Sequence, residues 1–296
     1  MSRPRQVLPN SFYLITRRCT QRQFLLRPDK ETNNAYLYCL IEAAQRFSIE
    51  LVMMCAMSNH HHLVIYDRLG RYPEFLEHFH KMFARSQNAL RGRWENLWAS
   101  GQTSVVRLVD TEDVLNKVVY VATNPVKDEL VDRVFHWPGV NGYGALIRGR
   151  TLKASRPRHF FRETGPMPRA VEANLEIPAE LGDAATFVAA LQSRVEAFEE
   201  SCADERRRSG RTIAGRRAVL QQPWHSAPTS FAEHRGLNPR IAARNVRSRI
   251  EALVREQWFA WAYRRARAAW LDRQPALFPV GTYWLRRFAA VPIAAA

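Results

Sequence analysis

The stretch that decides the fold is Leu51-Val-Met-Met-Cys-Ala-Met-Ser-Asn-His-His-His-Leu-Val-Ile-Tyr66. Two short apolar runs rich in Val, Ile and Met flank a polar break and three histidines, a pattern typical of two strands joined by a tight turn. Because side chains alternate between the faces of a strand, His60 and His62 point to one face and His61 to the other. Two imidazoles side by side supply half of a divalent-metal site. The alternative is a histidine pair that ends a core strand or hydrogen-bonds to a neighbour.

The charge of the chain indicates a polyanionic partner. The 296 residues include 44 Lys and Arg against 28 Asp and Glu, a formal net charge of +16, and arginine dominates the basic set. Such an excess suits nucleic acid. The guanidinium group of arginine donates paired hydrogen bonds to phosphate oxygens and stacks on bases. A genome rich in G and C would explain arginine in place of lysine, but it would not explain the imbalance of sign.

Composition also disfavours several classes of protein. The cysteines are Cys19, Cys39, Cys55 and Cys202. They form no Cys-x-x-Cys pair and three lie in apolar segments, so we expect reduced core residues rather than disulfides or a zinc cage. No run approaches membrane-spanning length, and the first residues lack an apolar signal core. We therefore expect a cytoplasmic protein with no membrane association.

The first 150 residues predict alternating strands and helices. We expect a strand over Ser11–Arg18, a helix from Asp29 to about Phe47, the two strands of the histidine stretch, a helix from Pro73 to about Leu90, a strand over Ser104–Val109, and a helix from Thr111 to about Ala122 ended by Asn124-Pro125. That order is typical of an α+β, ferredoxin-like antiparallel sheet with helices on one face. His78 and His80 lie on the second helix, where we expect surface or groove residues rather than metal ligands.

The residue composition of the sequence changes in its second half. Residues 151–182 carry four prolines and scattered arginines, which predicts a linker between a domain of residues 1–150 and the remainder. Residues 183–296 predict a mainly α-helical, basic accessory region, with helices over 183–208 and about 239–273. The arginines of this region are either a second DNA-contacting surface or a solvated helix face.

Two motifs, in order along the chain, carry a resemblance to a known family. Met57-Ser-Asn-His-His-His-Leu63 resembles the Met-Pro-Asn-His-hydrophobic-His-Leu signature of the HUH superfamily of nucleases. Val119-Tyr-Val-Ala-Thr-Asn-Pro-Val126 resembles the Tyr-Ile-x-x-Asn-Pro-Val segment of its single-tyrosine transposases, in particular the REP-associated tyrosine transposases. The similarity covers roughly residues 8–145 and implies that this part is an HUH nuclease domain.

The chain departs from the family pattern at three places. Ser58 stands where proline is usual, His61 stands where a hydrophobic residue is usual, and Gly139-Val-Asn-Gly142 stands where Ser-Ser is common. We expect His61 to face the packed side of the sheet, where a neutral histidine costs stability unless it is hydrogen-bonded. The histidine pair His60 and His62 and the motif tyrosine Tyr120 are intact, so the chain resembles a divergent member of the family.

The resemblance implies metal-dependent chemistry on DNA. His60 and His62, with the amide oxygen of Asn124 as the implied third ligand, would hold Mg²⁺ or Mn²⁺ as a Lewis acid on the scissile phosphate. Mg²⁺ prefers oxygen ligands, so a site with two imidazoles could also favour Mn²⁺. Tyr120 is the implied nucleophile, whose attack would leave a 5′-phosphotyrosine link and a free 3′-hydroxyl. Asn124 follows Tyr120 by one helical turn and shares its face; the alternative for Tyr120 is a buried helix aromatic.

The implied substrate is single-stranded or hairpin DNA formed by palindromic repeats. Basic residues near the N-terminus would neutralise its phosphates, with an affinity that falls as salt rises. They are Arg3, Arg5, Arg17, Arg18 and Arg22. Trp94 and Trp98 would either stack on unpaired bases or pack within the protein. No pattern indicates an oligomeric state.

Three functions are therefore open. The first is a DNA transposase that cleaves and rejoins single-stranded or hairpin DNA through a phosphotyrosine intermediate. The second is a domesticated protein that binds DNA hairpins without turnover, although such a binder has no need of the intact set His60, His62, Tyr120 and Asn124. The third is a zinc hydrolase built on the three histidines, disfavoured because His61 should face away and no acidic general base lies adjacent.

Overall fold

The chain alternates strands and helices in its first half and is mostly helical in its second. The computed structural model describes residues 4–230 and 239–295. The strands are β1 (Ser11–Arg18), β2 (Ile49–Ala56), β3 (His60–Asp67), β4 (Ser104–Leu108), β5 (Leu152–Ser155), β6 (Ala170–Ala173) and β7 (Ile241–Ala242). The α-helices are α1 (Lys30–Phe47), α2 (Tyr72–Arg91), α3 (Thr111–Lys127), α4 (Tyr143–Ile147), α5 (Ala184–Ser209), α6 (Gly215–Gln221), α7 (Val246–Leu271) and α8 (Trp284–Ala289). The predicted α+β class with a mainly helical C-terminal region is confirmed.

The main sheet has the order β2-β3-β1-β4-β7. β1, β2, β3 and β4 are antiparallel to their neighbours and follow the ferredoxin-like arrangement, in which the first and third strands are central. The short β7 adds to the outer edge of β4 in parallel, which makes the sheet mixed rather than purely antiparallel. An added edge strand was not predicted because two residues give no periodic signal in the sequence.

Helices cover both faces of the sheet. α1 and α2 pack against each other and onto the face that carries His61, where Tyr36 and Phe79 contact its ring. α3 packs on the opposite face, where Tyr120 contacts the ring of His62. The sequence predicted helices on one face, which holds for α1 and α2 only. α3 takes the other face because its stripe of buried residues, including Val118 and Val121, covers the second apolar side of β2 and β3.

The third helix runs further than the sequence predicted. It continues through Pro125 to Lys127 instead of ending near Ala122. Pro125 cannot donate to the Val121 carbonyl one turn earlier, yet the helix continues, and two other carbonyls near this turn accept hydrogen bonds from side chains. The hydroxyl of Thr123 donates to the Val119 carbonyl at 2.8 Å, and the amide of Asn141 donates to the Ala122 carbonyl at 2.9 Å. The extra turn places Asn124 on rigid helix rather than in a loop.

Residues 151–182 contain regular structure where a linker was predicted. β5 and β6 form a two-stranded hairpin that packs against α1. Asn34 on α1 donates to the Ser155 carbonyl at 2.7 Å, and the hydroxyl of Tyr38 donates to the Pro168 carbonyl at 2.7 Å. The prolines flank the paired strands rather than interrupting them, which is where proline is tolerated.

The accessory region is joined to the first domain at several points. α5 packs along α3, with Leu191 and Val195 buried. The N-terminal arm is held by the C-terminal segment, because the amide of Val7 donates to the Gly281 carbonyl at 3.0 Å and Gln6 donates to the Val280 carbonyl at 3.0 Å. Among the described residues, no helix is both long enough and apolar enough to cross a bilayer.

The unusual histidine of the motif lies in the core. His61 is fully buried, its Nδ1 is 3.1 Å from the Tyr36 hydroxyl, and its Nε2 is 3.1 Å from Nε2 of His80. Both ring nitrogens therefore have partners, which is the condition under which a core histidine is tolerated. His80 is buried as well, contrary to the prediction of a surface or groove position, because it supplies that second partner.

The buried His80 predicts acid sensitivity of the fold. Burial lowers the pKa of His80 to about 3, and Arg17 on β1 acts in the same direction. The imidazole is neutral in the folded chain, whereas in the unfolded chain it binds a proton below its ordinary pKa of about 6.5. The unfolded state therefore binds more protons as the pH falls, and stability is lost. We expect this one group to reduce the free energy of unfolding by about 2 kcal/mol between pH 6.5 and pH 5.

Denaturant unfolding of wild type and His80→Gln across that range measures this contribution. Glutamine can still hydrogen-bond to His61 but does not titrate, so its stability profile should fall less steeply with acid than that of wild type. Parallel profiles for the two proteins would show that His80 is not the titrating group.

Candidate metal and nucleophile site

The candidate residues converge on one face of the sheet, between β3 and α3. On β3 the rings of His60 and His62 have centroids 4.9 Å apart. The ring of Tyr120 on α3 lies 5.2 Å from that of His62, edge to face. Asn124, one turn further along α3, is buried, and its side chain is close enough to His60 and Tyr120 to shift the pKa of each. A strand with period two and a helix with period 3.6 thus bring the four predicted residues together.

Neighbouring side chains orient both imidazoles. Nδ1 of His62 is 2.8 Å from Oγ1 of Thr16, its cross-strand partner on β1. Nδ1 of His60 donates to Oδ1 of Asn59 at 2.7 Å, and the Asn59 amide is itself fixed by the Arg22 carbonyl at 3.1 Å. Such bonds to one ring nitrogen leave the other available and set the ring orientation, as in many metal sites.

Both histidines are held neutral. Burial lowers the pKa of His60 to about 4, and the nearby cations Arg18, Lys127 and Arg22 lower it further, whereas Asn124 acts in the opposite sense. Burial also places the pKa of His62 well below its usual range. A neutral imidazole is the form that binds a metal.

Two polar atoms of the site are buried without a partner. Nε2 of His62 and Oδ1 of Asn124 have no hydrogen bond to any described residue. Buried polar atoms are nearly always paired, so orphans of this kind call for an explanation. Both atoms are of types that ligate divalent ions, and they stand beside the second imidazole. His60, His62 and Asn124 thus fit a divalent cation.

Tyr120 is partly buried and lies in a cationic environment. Nζ of Lys127 is 5.1 Å from the centre of its ring and Nζ of Lys117 is 5.8 Å from it. Burial raises the pKa of the Tyr120 hydroxyl, and the side chain of Asn124 acts against that shift. Neither lysine was among the predicted site residues, although Lys117, Tyr120, Asn124 and Lys127 follow one another at helical spacing and so share a face.

A cavity of about 680 Å³ opens beside His60. Arg18, Arg22 and Asp128 line it, together with the segment 227–230 of the accessory region. Arg18 pairs with His60 across the strands and therefore projects from the same face. The Arg22 guanidinium donates to the carbonyl of Ser230 at 2.5 Å. The cavity gives a phosphate backbone two basic side chains on its way to His60.

The other predicted DNA contacts lie elsewhere. Arg17 neighbours Arg18 in sequence but projects from the opposite face, and Arg5 lies near it, donating to the Thr103 carbonyl at 3.3 Å. Arg3 lies outside the described residues. Trp98 is buried against His61 and His80, as the packing alternative predicted, whereas Trp94 is 98% exposed.

The zinc-hydrolase hypothesis finds no support in the geometry. His61 faces away from His60 and His62 into the core. In the part of the chain that the structure describes, no three side chains of the types His, Cys, Asp and Glu are grouped to hold a metal. A site here depends instead on the amide of Asn124 as its third protein ligand.

Comparison with known proteins gives similarity in structure but not in sequence. No family model matches the chain, and no curated protein matches it significantly. A REP-associated tyrosine transposase bound to a REP hairpin superposes with a TM-score of 0.42 and 16% identity, covering 55% of this chain and 88% of that one. A candidate transposase from Deinococcus radiodurans R1 gives a TM-score of 0.29 and 19% identity, covering 36% of this chain and 85% of that one. At these values the function has to be inferred from the residues of the site.

Proposed function

We propose that this chain is a DNA transposase or nuclease of the HUH single-tyrosine type, which cleaves and rejoins single-stranded or hairpin DNA with a divalent metal. The observation that carries the proposal is the convergence of Tyr120 with three ligand-type side chains, two of which present buried, unpartnered polar atoms. Without a bound ion such atoms would stay unsatisfied, at a cost of roughly 1–3 kcal/mol each.

The chain's own residues account for the reaction as follows. Arg18 and Arg22 bind the DNA backbone and direct it towards His60. The phenolic oxygen of Tyr120 attacks the phosphorus, the bond to the 3′ oxygen breaks, and the phenolic proton is released while the 3′ oxygen gains one. The side chain of Asn124 and the charge of Arg18 favour loss of that proton, because both lower the pKa of the Tyr120 hydroxyl against the effect of burial. The divalent ion that His60, His62 and Asn124 would hold supplies Lewis-acid polarisation of the phosphate.

Retention of the phosphotyrosine bond explains why a tyrosine suits a joining enzyme. The covalent link conserves the phosphoester, so the free 3′-hydroxyl of a second strand can attack it and release Tyr120. The net positive charge of +16 matches a DNA substrate. Hairpin DNA is proposed as that substrate on the resemblance of the two motifs, and Mn²⁺ or Mg²⁺ as the ion on the donor set.

The second candidate function is hairpin binding without turnover. The net charge of +16 favours it, because neutralisation of phosphates binds DNA without any chemical step. In such a protein the site would hold DNA but would not react.

Incubation of the protein with end-labelled hairpin oligonucleotides and Mn²⁺ or Mg²⁺ separates the two functions. The transposase proposal expects a protein–DNA adduct that survives denaturation, with the modified residue mapped to Tyr120 by peptide mass spectrometry. Retarded DNA in native gels with no adduct under either ion would instead identify a binder. An adduct that forms equally well in excess chelator would contradict the role of the metal.

A further inference from the structure

A large cleft lies on the face of the sheet opposite Tyr120. It has a volume of about 1420 Å³ and opens between the N-terminal arm, the start of α2, the loop before β4, and the helices α7 and α8. Tyr72 and Leu76 of α2 line one wall, and α2 packs on the His61 face. The cleft is therefore separate from the cavity beside His60, and most of its second wall comes from the accessory region.

The lining of the cleft combines positive charge with aromatic rings. Four arginines line it: Arg5, Arg17, Arg264 and Arg267. Four aromatic residues line it as well: Tyr72, Tyr263, Tyr283 and Trp284. None of the described residues that line the cleft is an aspartate or a glutamate. Cationic grooves with interleaved aromatic rings are typical of proteins that bind single-stranded nucleic acid, because bases stack on the rings while the cations follow the phosphates.

The charge on Arg17 is poorly compensated. Among the described residues its guanidinium donates to neutral acceptors alone, namely the carbonyls of Gly101 and Ala99 and the hydroxyl of Thr103. Its Nε is buried with no acceptor among the described residues. Burial lowers the pKa of Arg17, and only the thiol of Cys19 acts against that shift. An anion in the cleft would supply the missing counter-charge.

The cleft and the candidate nuclease site meet at the end of β1. Arg17 and Arg18 are consecutive, so their side chains project from opposite faces of the strand, Arg17 into the cleft and Arg18 into the cavity beside His60. The backbone around Ala99 passes this end of the strand, with its amide bound to the Arg18 carbonyl at 2.9 Å. A nucleic-acid strand that leaves the nuclease site can therefore reach the cleft by passing around one strand end lined with arginine.

We propose that this cleft binds a single-stranded segment of DNA that flanks the hairpin. Trp284, which is half-exposed at the mouth, stacks on a base, and Arg264 and Arg5 contact phosphates. The identity of the ligand as the substrate's own flank rests on the proposed function. By binding this segment the cleft selects hairpins that carry a single-stranded flank, so the accessory region contributes to substrate choice.

Fluorescence anisotropy with two labelled oligonucleotides tests this. One is a blunt hairpin, and the other is the same hairpin with a single-stranded tail of about 12 nucleotides, within the usual footprint of single-strand binders. All proteins carry Tyr120→Phe so that binding is measured without cleavage. Trp284→Ala and Arg264→Glu should each weaken binding of the tailed hairpin about tenfold and leave the blunt hairpin unchanged. Arg150→Glu, an exposed arginine outside the cleft, is the control of equal charge change.

The outcomes separate this proposal from the function of the nuclease site. If the cleft variants bind both oligonucleotides with the affinity of the parent, the cleft does not hold the tail. The same conclusion follows if their affinity for the two oligonucleotides falls equally. If they lose affinity for a labelled glutamate-rich peptide but not for the tail, the cleft is a site for acidic peptides and the proposal is overturned. Adduct formation on the blunt hairpin, measured with Tyr120 restored, reports on the nuclease site alone and is expected to be normal in both variants.

Discussion

Replacement of Tyr120 by phenylalanine is expected to abolish the covalent adduct while leaving DNA affinity nearly intact. The substitution removes one oxygen and keeps the ring, so the contacts with His62 and with Lys117 and Lys127 are retained. The Thr16 hydroxyl beside His62 is hydrogen-bonded to Nδ1 of that ring, and the Thr123 hydroxyl on α3 donates to the Val119 carbonyl. Loss of an activated nucleophile typically costs a factor on the order of 10⁴ or more. Denaturing gels of end-labelled hairpin DNA measure the adduct, and anisotropy measures the affinity.

A matched variant shows whether the effect belongs to this hydroxyl. Tyr38→Phe also removes a phenolic hydroxyl, one that donates to the Pro168 carbonyl on the far side of α1. It should form adduct at the wild-type level, with only a small loss of stability from the missing hydrogen bond. An adduct that persists in Tyr120→Phe and maps to another residue would overturn the assignment of the nucleophile.

The second large effect is expected from His62→Ala. This substitution removes a buried imidazole whose Nε2 has no hydrogen bond to any described residue. We expect Mn²⁺ affinity to fall by at least about 100-fold, since loss even of an outer partner of a ligand costs about 10–100-fold. Isothermal titration with Mn²⁺ in the absence of DNA measures this without reference to activity. Thr16→Val, which removes only the hydrogen bond to Nδ1 of His62, should show an intermediate loss.

His78→Ala is the control for loss of an imidazole. His78 bonds to Glu42 at 2.7 Å, away from the candidate ligands, and its removal should leave Mn²⁺ affinity unchanged. Melting curves establish that each variant is folded. Equal Mn²⁺ affinity in wild type and His62→Ala would show that the imidazole is not a ligand, and the buried orphan atoms would then need another explanation.

The sequence predicted the part of the fold that depends on local periodicity. Alternation around His60 and helical spacing from Tyr120 to Asn124 placed the four candidate residues on facing elements, and the structure brings those residues together. The end of α3 was placed too early because proline usually ends a helix, whereas this helix continues through Pro125 to Lys127. Asn141, which is distant in sequence, binds the Ala122 carbonyl near this end, and such a contact forms only in the folded chain.

Features that depend on pairing between distant segments could not be predicted. Thr16 orients His62 only because the β1–β3 register places them opposite each other. The partner of His61, His80, comes from a helix whose rotation about its axis the sequence does not specify. The cleft joins residues near both ends of the described chain, such as Arg5 and Trp284, and no window of sequence contains both.

The bonds of His61 to Tyr36 and His80 have a consequence for how β3 is aligned. A slip of β3 by one residue against β1 would turn every side chain to the other face, placing His60 and His62 under α1 and α2 and turning His61 towards α3. An apolar residue at position 61 would resist such a slip by burial alone, whereas a histidine with two fixed partners resists it by geometry. The histidine at position 61 thus fixes the register of β3 and keeps the candidate ligands facing Tyr120.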